Sequence, residues 1–202
     1  FAAYVFSMYK TTVANANFII TTETIFLALF GYFFLKEKIS LVTLFSIFLG
    51  MVGVILILGS SISIQSNDQF QGNIVAFLMP ISFAILVIVI RKNPRVDMIP
   101  AQFTAGIVAA LIGWAFALDL SISTHDLFLA LIAGFFQVGF GFILITIGSQ
   151  KTSSAVIGVI MLSEAVFGPL WAWLFINETI PISVLFGGAI IIFSILFLFF
   201  NS

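Results

Sequence analysis

Seven stretches of about 20 apolar residues run through this chain of 202, at about 13–35, 41–59, 72–90, 99–118, 127–148, 153–175 and 181–200. That length is what a helix needs to cross about 30 Å of hydrocarbon. In lipid every backbone N–H and C=O must find a partner within the protein, which leaves helices and closed barrels. Barrel strands alternate in polarity, and these runs do not. Only 7% of the residues are charged, against roughly 25% in a typical globular chain. A soluble fold of this size could not cover its surface with so few polar groups. The expectation is an all-α polytopic protein whose first partner is the lipid bilayer.

Short polar breaks separate the spans. Lys36-Glu37-Lys38 follows the first, residues 60–71 the second, and Arg91-Lys92-Asn93-Pro94-Arg95 the third. Asp119 to Asp126, Gln150-Lys151 and Asn177-Glu178 mark the others. Residues 1–9 are apolar but too short to span. The chain begins at Phe1 without Met, so this piece reads as the tail of a cut helix. Alternating the loops across the membrane puts Lys36, Lys38, Arg91, Lys92, Arg95 and Lys151 on one side and Lys10 on the other. The positive-inside rule makes the six-cation side cytoplasmic, and the C-terminus with it. Tyr32, Trp171 and Trp173, near span ends, suit an interfacial aromatic belt.

Shifting the sequence by 141 residues lays the first span on the sixth. Lys10-Thr11 falls on Lys151-Thr152, Ala14 on Ala155, Ile19 on Ile160, Glu23 on Glu164, Phe34 on Phe175 and Glu37 on Glu178. Apolar helices coincide easily at Ile, Leu or Phe. They do not coincide easily at Glu, of which the chain has four. The match therefore points to duplication. The two copies are an odd number of spans apart, so they cross in opposite directions. Inverted repeats of this kind mark secondary transporters, which bind their solute near the midplane between the copies.

Glu23 and Glu164 are the ionisable side chains within the spans, each about eleven residues from either end of its helix. A charge there costs on the order of 2.5–3.5 kcal/mol on insertion scales, so such groups usually face a cavity or a partner. A carboxyl in that position can exchange protons or bind a cation or amine. The alternative is that both hydrogen-bond across helices for packing alone. Asn15, Thr22 and Glu23 fall within an arc of about 100° on the first span, at 100° per residue. The hydroxyl–acid pair recurs as Ser163-Glu164. These groups either line one polar cavity or make ordinary interhelical bonds. Asn17 points to a different face and reads as a packing or capping residue.

Gln102, Gly106, Ala109 and Gly113 form one stripe, and Gly134, Gln137, Gly141 and Gly148 another. Small residues there let helices approach closely. Gln102 and Gln137 are candidate cavity contacts within them. Pro80, and Gly168 with Pro169, interrupt their helices and are candidate kinks. Glu37 and Glu178 precede the next helix, where an acid favours the positive N-terminus. Arg91, Lys92 and Arg95 read as determinants of topology, and His125 as a surface loop residue.

The absences narrow function further. There is no Cys, no basic surface for nucleic acid and no Gly-rich loop followed by Lys-Ser/Thr. No Asp or His falls within a span and no Gly-x-Ser-x-Gly occurs, so neither an enzyme nor a cofactor is expected.

The matched segments Ala14 to Ile39 and Ala155 to Ile180 resemble EamA-type permeases of the drug/metabolite transporter superfamily. The family ends its fourth helix with a Leu-Gly-Glu-like turn. Here the turns read Leu35-Lys36-Glu37 and Ile176-Asn177-Glu178, with the Gly replaced in both copies. Gly72 to Lys92 is similar to the opening helix of the second repeat. The resemblance implies ten helices in two inverted five-helix repeats. Seven full helices and a partial one are present. Residues 1–60 are then the remnant of the first repeat (the end of helix 3, helices 4 and 5), and 72–200 the second (helices 6–10). It also implies a multi-pass inner-membrane permease for small polar metabolites, such as amino acids or related solutes, with a homodimer left open. The rival reading is a non-transporting membrane subunit or scaffold that assists another protein.

Overall fold

In the computed structural model, residues 2–59, 67–117, 121–177 and 181–201 are described. Among them every regular element is helical. Seven helical stretches are long and apolar enough to cross a membrane. The first is broken in two, α2 (Val13–Thr21) and α3 (Glu23–Leu35), preceded by α1 (Ala2–Lys10). The second is α4 (Leu41–Leu58). The third is again broken, α5 (Asn67–Ala76) and α6 (Leu78–Lys92). The fourth is α7 (Ile99–Phe116). The fifth comprises α8 (Thr124–Ile132), a π-helical segment (Ala133–Phe140) and α9 (Gly141–Ser149). The sixth is α10 (Ser154–Met161) and α11 (Glu164–Ile176), and the seventh α12 (Ile182–Asn201). The spans expected from sequence are all present. The third and fifth are longer than expected, reaching back to Asn67 and Thr124.

The duplication is visible in the backbone. Adding 141 to the start of α2, α3 or α4 gives the start of α10, α11 or α12. The bonds at the first break, Thr22 N–H to Ile19, Ile25 N–H to Thr22 and Phe26 N–H to Thr22, recur as Ser163 to Ile160, Val166 to Ser163 and Phe167 to Ser163. Lys36 and Asn177, also 141 apart, end α3 and α11 in the left-handed conformation, each with φ 55°. That is where helices favour Gly.

The two copies meet where α4 crosses α12. The Ser194 hydroxyl donates to the Ser46 carbonyl at 2.9 Å, and a Cβ on Gly53 would lie 2.7 Å from the Gly187 carbonyl. Rising numbers on α4 meet falling numbers on α12, so the helices run antiparallel. The offset of 141 exchanges Ser46 with Gly187 and Gly53 with Ser194, so one contact is the image of the other. This is the geometry of a twofold axis between inverted copies. Val54, Ile57, Leu162, Val166 and Ile191 pack beside the crossing, and Ala28, Ile47, Ala155, Val159 and Leu198 form a second cluster.

The glycine stripes do not behave as expected. A Cβ at Gly106, Gly113, Gly134, Gly141 or Gly148 would meet nothing within 4 Å. Helices α7 and α8 and the π-helical segment bury no residue. Close backbone approach occurs instead at Gly53, Gly158 and Gly187. A spacing of small residues permits an approach but does not say which helix makes it.

Candidate functional site

The first and sixth spans each resume, after their break, on a glutamate. Glu23 is the first residue of α3 and Glu164 the first of α11. An acid in the first turn suits the positive end of the helix. The cause of the break is local in the first copy. The Thr21 hydroxyl donates to the Phe18 carbonyl at 2.7 Å and the Thr22 hydroxyl to the Ile19 carbonyl at 2.5 Å. Hydroxyls bonding back one turn compete with the helical ladder and bend it.

Both glutamates line one cavity of about 490 Å³, a size suited to a small organic solute. Asn17, Thr21 and Thr24 supply further polar groups, and Met161, Leu162 and Val184 are among the apolar ones. Gly168 and Pro169 are on the wall as well. Pro169 cannot donate to the carbonyl of Ala165, itself a lining residue.

The other sequence candidates lie elsewhere. Asn15 is buried, and its amide donates to the Thr11 hydroxyl, which donates to Asn73. Thr22 spends its hydroxyl on the backbone, and Ser163 is half-buried outside the lining. Gln102 and Gln137 stand on α7 and the π-helical segment, away from the cavity. Pro80 sits in the first turn of α6, and the helix is interrupted at Phe77, next to Ala76, whose carbonyl its ring would strike. Glu178 lies outside the described residues.

Two assignments change. Asn17 lines the cavity rather than packing or capping, because the break at Thr22 resets the angular phase between Asn15 and Glu23. Glu37 does not serve the helix that follows it. Its Oε2 accepts from the Ser154 N–H at 2.9 Å, at the start of α10. Its Oε1 accepts from Arg91 Nε at 2.6 Å and lies 2.5 Å from Nη2. Arg91 Nη1 donates to the carbonyls of Ser149 and Thr152. Arg91, read as a topology residue, thus ties the ends of three spans together. The recurrence of Glu37 in the repeat was the available signal.

The cavity is one-sided. On the Lys36 side α3 and α10 are in contact, with the Thr24 hydroxyl donating to the Gly158 carbonyl at 2.9 Å. The images of these residues under the offset are Ala165 and Asn17, and both line the cavity. One member of a symmetry-related pair of interfaces is shut and the other is open.

The model of the EamA-like transporter family matches residues 1–59 and 70–200. This chain belongs to the EamA-like transporter family. Among its relatives, an uncharacterized transporter of Methanothermobacter thermautotrophicus is 24% identical over 95% of the chain. Another, of Clostridium kluyveri, is 23% identical over 93%. The chain spans 58% and 63% of the length of these two relatives. A solved crystal structure of a protein superposes with a TM-score of 0.83 at 16% identity, over 96% of this chain and 70% of that one. The likeness shows the fold. The EamA-like chain is an all-α, multi-pass membrane protein of inverted-repeat architecture.

Proposed function

We propose that this EamA-like protein is a secondary transporter that moves a small polar metabolite by alternating access, with Glu23 and Glu164 as its solute- or proton-binding groups. The observation that carries the reading is the placing of two repeat-related glutamates, each at a helix break, on the wall of one solute-sized cavity. Carboxylates placed near the middle of a membrane span attract a proton, a cation or an amine. The open cavity faces away from Lys36 and Arg91. With six of the seven Lys and Arg placed in the cytoplasm, the cavity opens outward, in the inner membrane, and the C-terminus is cytoplasmic. Thr22 and Ser163 shape the breaks, and Gly168 and Pro169 shape the wall. Asn15 is a packing residue in this reading.

The test is uptake and efflux of a panel of small polar metabolites by proteoliposomes, comparing the parent with Glu23→Gln and Glu164→Gln. Each variant is expected to insert normally and to lose flux or its coupling to a proton gradient. Normal coupled transport by both would remove the glutamates' role. A membrane subunit that only assists another protein would move no solute in any variant.

A further inference from the structure

The closed interface between α3 and α10 ends, on the Lys36 side, in an ion pair with an unusual number of ties. Arg91 uses all three guanidinium nitrogens, on Glu37, Ser149 and Thr152. Glu37 uses both oxygens, on Arg91 and on the first turn of α10. Both side chains are largely removed from solvent, at 17% and 14% exposure. Immediately beneath them Gly31 of α3 meets Ser154 of α10, where a Cβ would lie 2.9 Å from Ser154 Cβ. Deeper still, the Thr24–Gly158 bond closes the interface. The pair therefore joins the end of α3 to the end of α6 and the start of α10, across the mouth that must part for the cavity to reach that side.

We infer that Glu37 and Arg91 form the latch of the gate on the Lys36 side, holding α3 against α10 in the present state and separating when the cavity opens toward that side. The inference rests on the alternating-access reading. It adds which contact keeps one of the two faces shut. Partly buried, charge-assisted bonds suit the task because breaking them is costly but discrete, which gives two states rather than a continuum. The backbone carbonyls of Ser149 and Thr152 orient the guanidinium, so the latch needs Arg and not any cation.

The chain contains no Cys, so a single Ala165→Cys on the cavity wall reports access cleanly. A membrane-impermeant maleimide is applied to either face of sealed vesicles, without any transport assay. The parent is expected to label from the face opposite Lys36. Glu37→Gln should raise labelling from the Lys36 face about tenfold, the factor that a ~1.4 kcal/mol change in an equilibrium produces. Gly31→Ala keeps both charges but crowds Ser154 and the Glu37 carboxylate, whose Oε2 would lie 2.8 Å from the new Cβ, and should act in the same direction. Lys92→Gln, at an exposed neighbouring cation, should change nothing. Equal labelling of the parent from both faces overturns the latch. So does unchanged labelling in either folded variant. Because labelling does not depend on flux, a failure here is distinct from a failure of the transport reading.

Discussion

The backbone carbonyl of Gly53 lies 2.6 Å from where a Cβ on Gly187 would be, at the crossing of α4 and α12. Nothing but hydrogen fits there without parting the two helices. This contact, together with its image at Ser46 and Ser194, brings the repeats onto a common axis.

Gly187→Ala should therefore destabilise the protein by about 1–3 kcal/mol, the usual cost of overpacking. Gly113→Ala, in open space, should be neutral or gain up to about 1 kcal/mol from lower chain entropy. Thermal unfolding in detergent compares the two. Equal effects would show that the crossing is not tightly held.

The turn after each repeat's broken helix gives a second stability test. Lys36 pays the steric penalty of a side chain in the left-handed region, roughly 1–2 kcal/mol in general. Asn177 tolerates the same φ better, because its short polar side chain suits that region. Lys36→Gly should raise stability by up to about 1 kcal/mol, and Asn177→Gly by less. The reverse order in a melting experiment would contradict the shared turn geometry.

Much of this arrangement was legible in the sequence. Span number follows from hydrocarbon thickness, which any helix must match. The offset of 141 gave both broken helices their common glutamate, because a charge in the membrane centre is rarely matched by chance. What stayed hidden was angular. An uninterrupted helix of 100° per residue placed Asn15 beside Glu23 and turned Asn17 away. The Thr21 and Thr22 hydroxyls break the ladder between them, so the wheel fails at that point. The Glu37–Arg91 pair was hidden because it joins residues 54 apart across three spans. Loop cations look alike in sequence whether they mark topology or hold helices together. The Gln102 and Gln137 stripes resembled an interface because spacing carries no information about which helix lies opposite.

The two asparagines of α2 separate site from scaffold. Asn17→Leu changes a lining residue of the cavity and should alter solute selectivity or maximal flux with little change in melting temperature. Asn15→Leu removes the donor to the Thr11 hydroxyl, the group that in turn bonds Asn73. Its expected effect is a loss of stability of about 0.5–1.5 kcal/mol, the usual net worth of one hydrogen bond. Flux per folded molecule should be retained. An Asn15 variant that melts normally but transports nothing would place that residue in the site instead.

Pro169 offers the sharpest separation of cause from company. A proline inside a helix removes the bond to the residue four before it and often kinks the helix. It stands on the cavity wall within Glu164's own helix, so it invites the role of hinge. The repeat argues otherwise. The position equivalent to Pro169 in the first copy is Ala28, and α2 and α3 still part at the place where α10 and α11 do, with the same three backbone bonds. A break that occurs without proline is not made by proline. In the first copy it coincides with the Thr21 and Thr22 hydroxyls bonded back to the preceding turn. Pro169→Ala should thus keep the break and retain transport, while restoring a bond to the Ala165 carbonyl. Thr22→Val should disturb the break by removing the hydroxyl bond to Ile19. Flux measured beside melting temperature decides the matter. If Pro169→Ala folds with unchanged stability and transports nothing, the kink belongs to the mechanism.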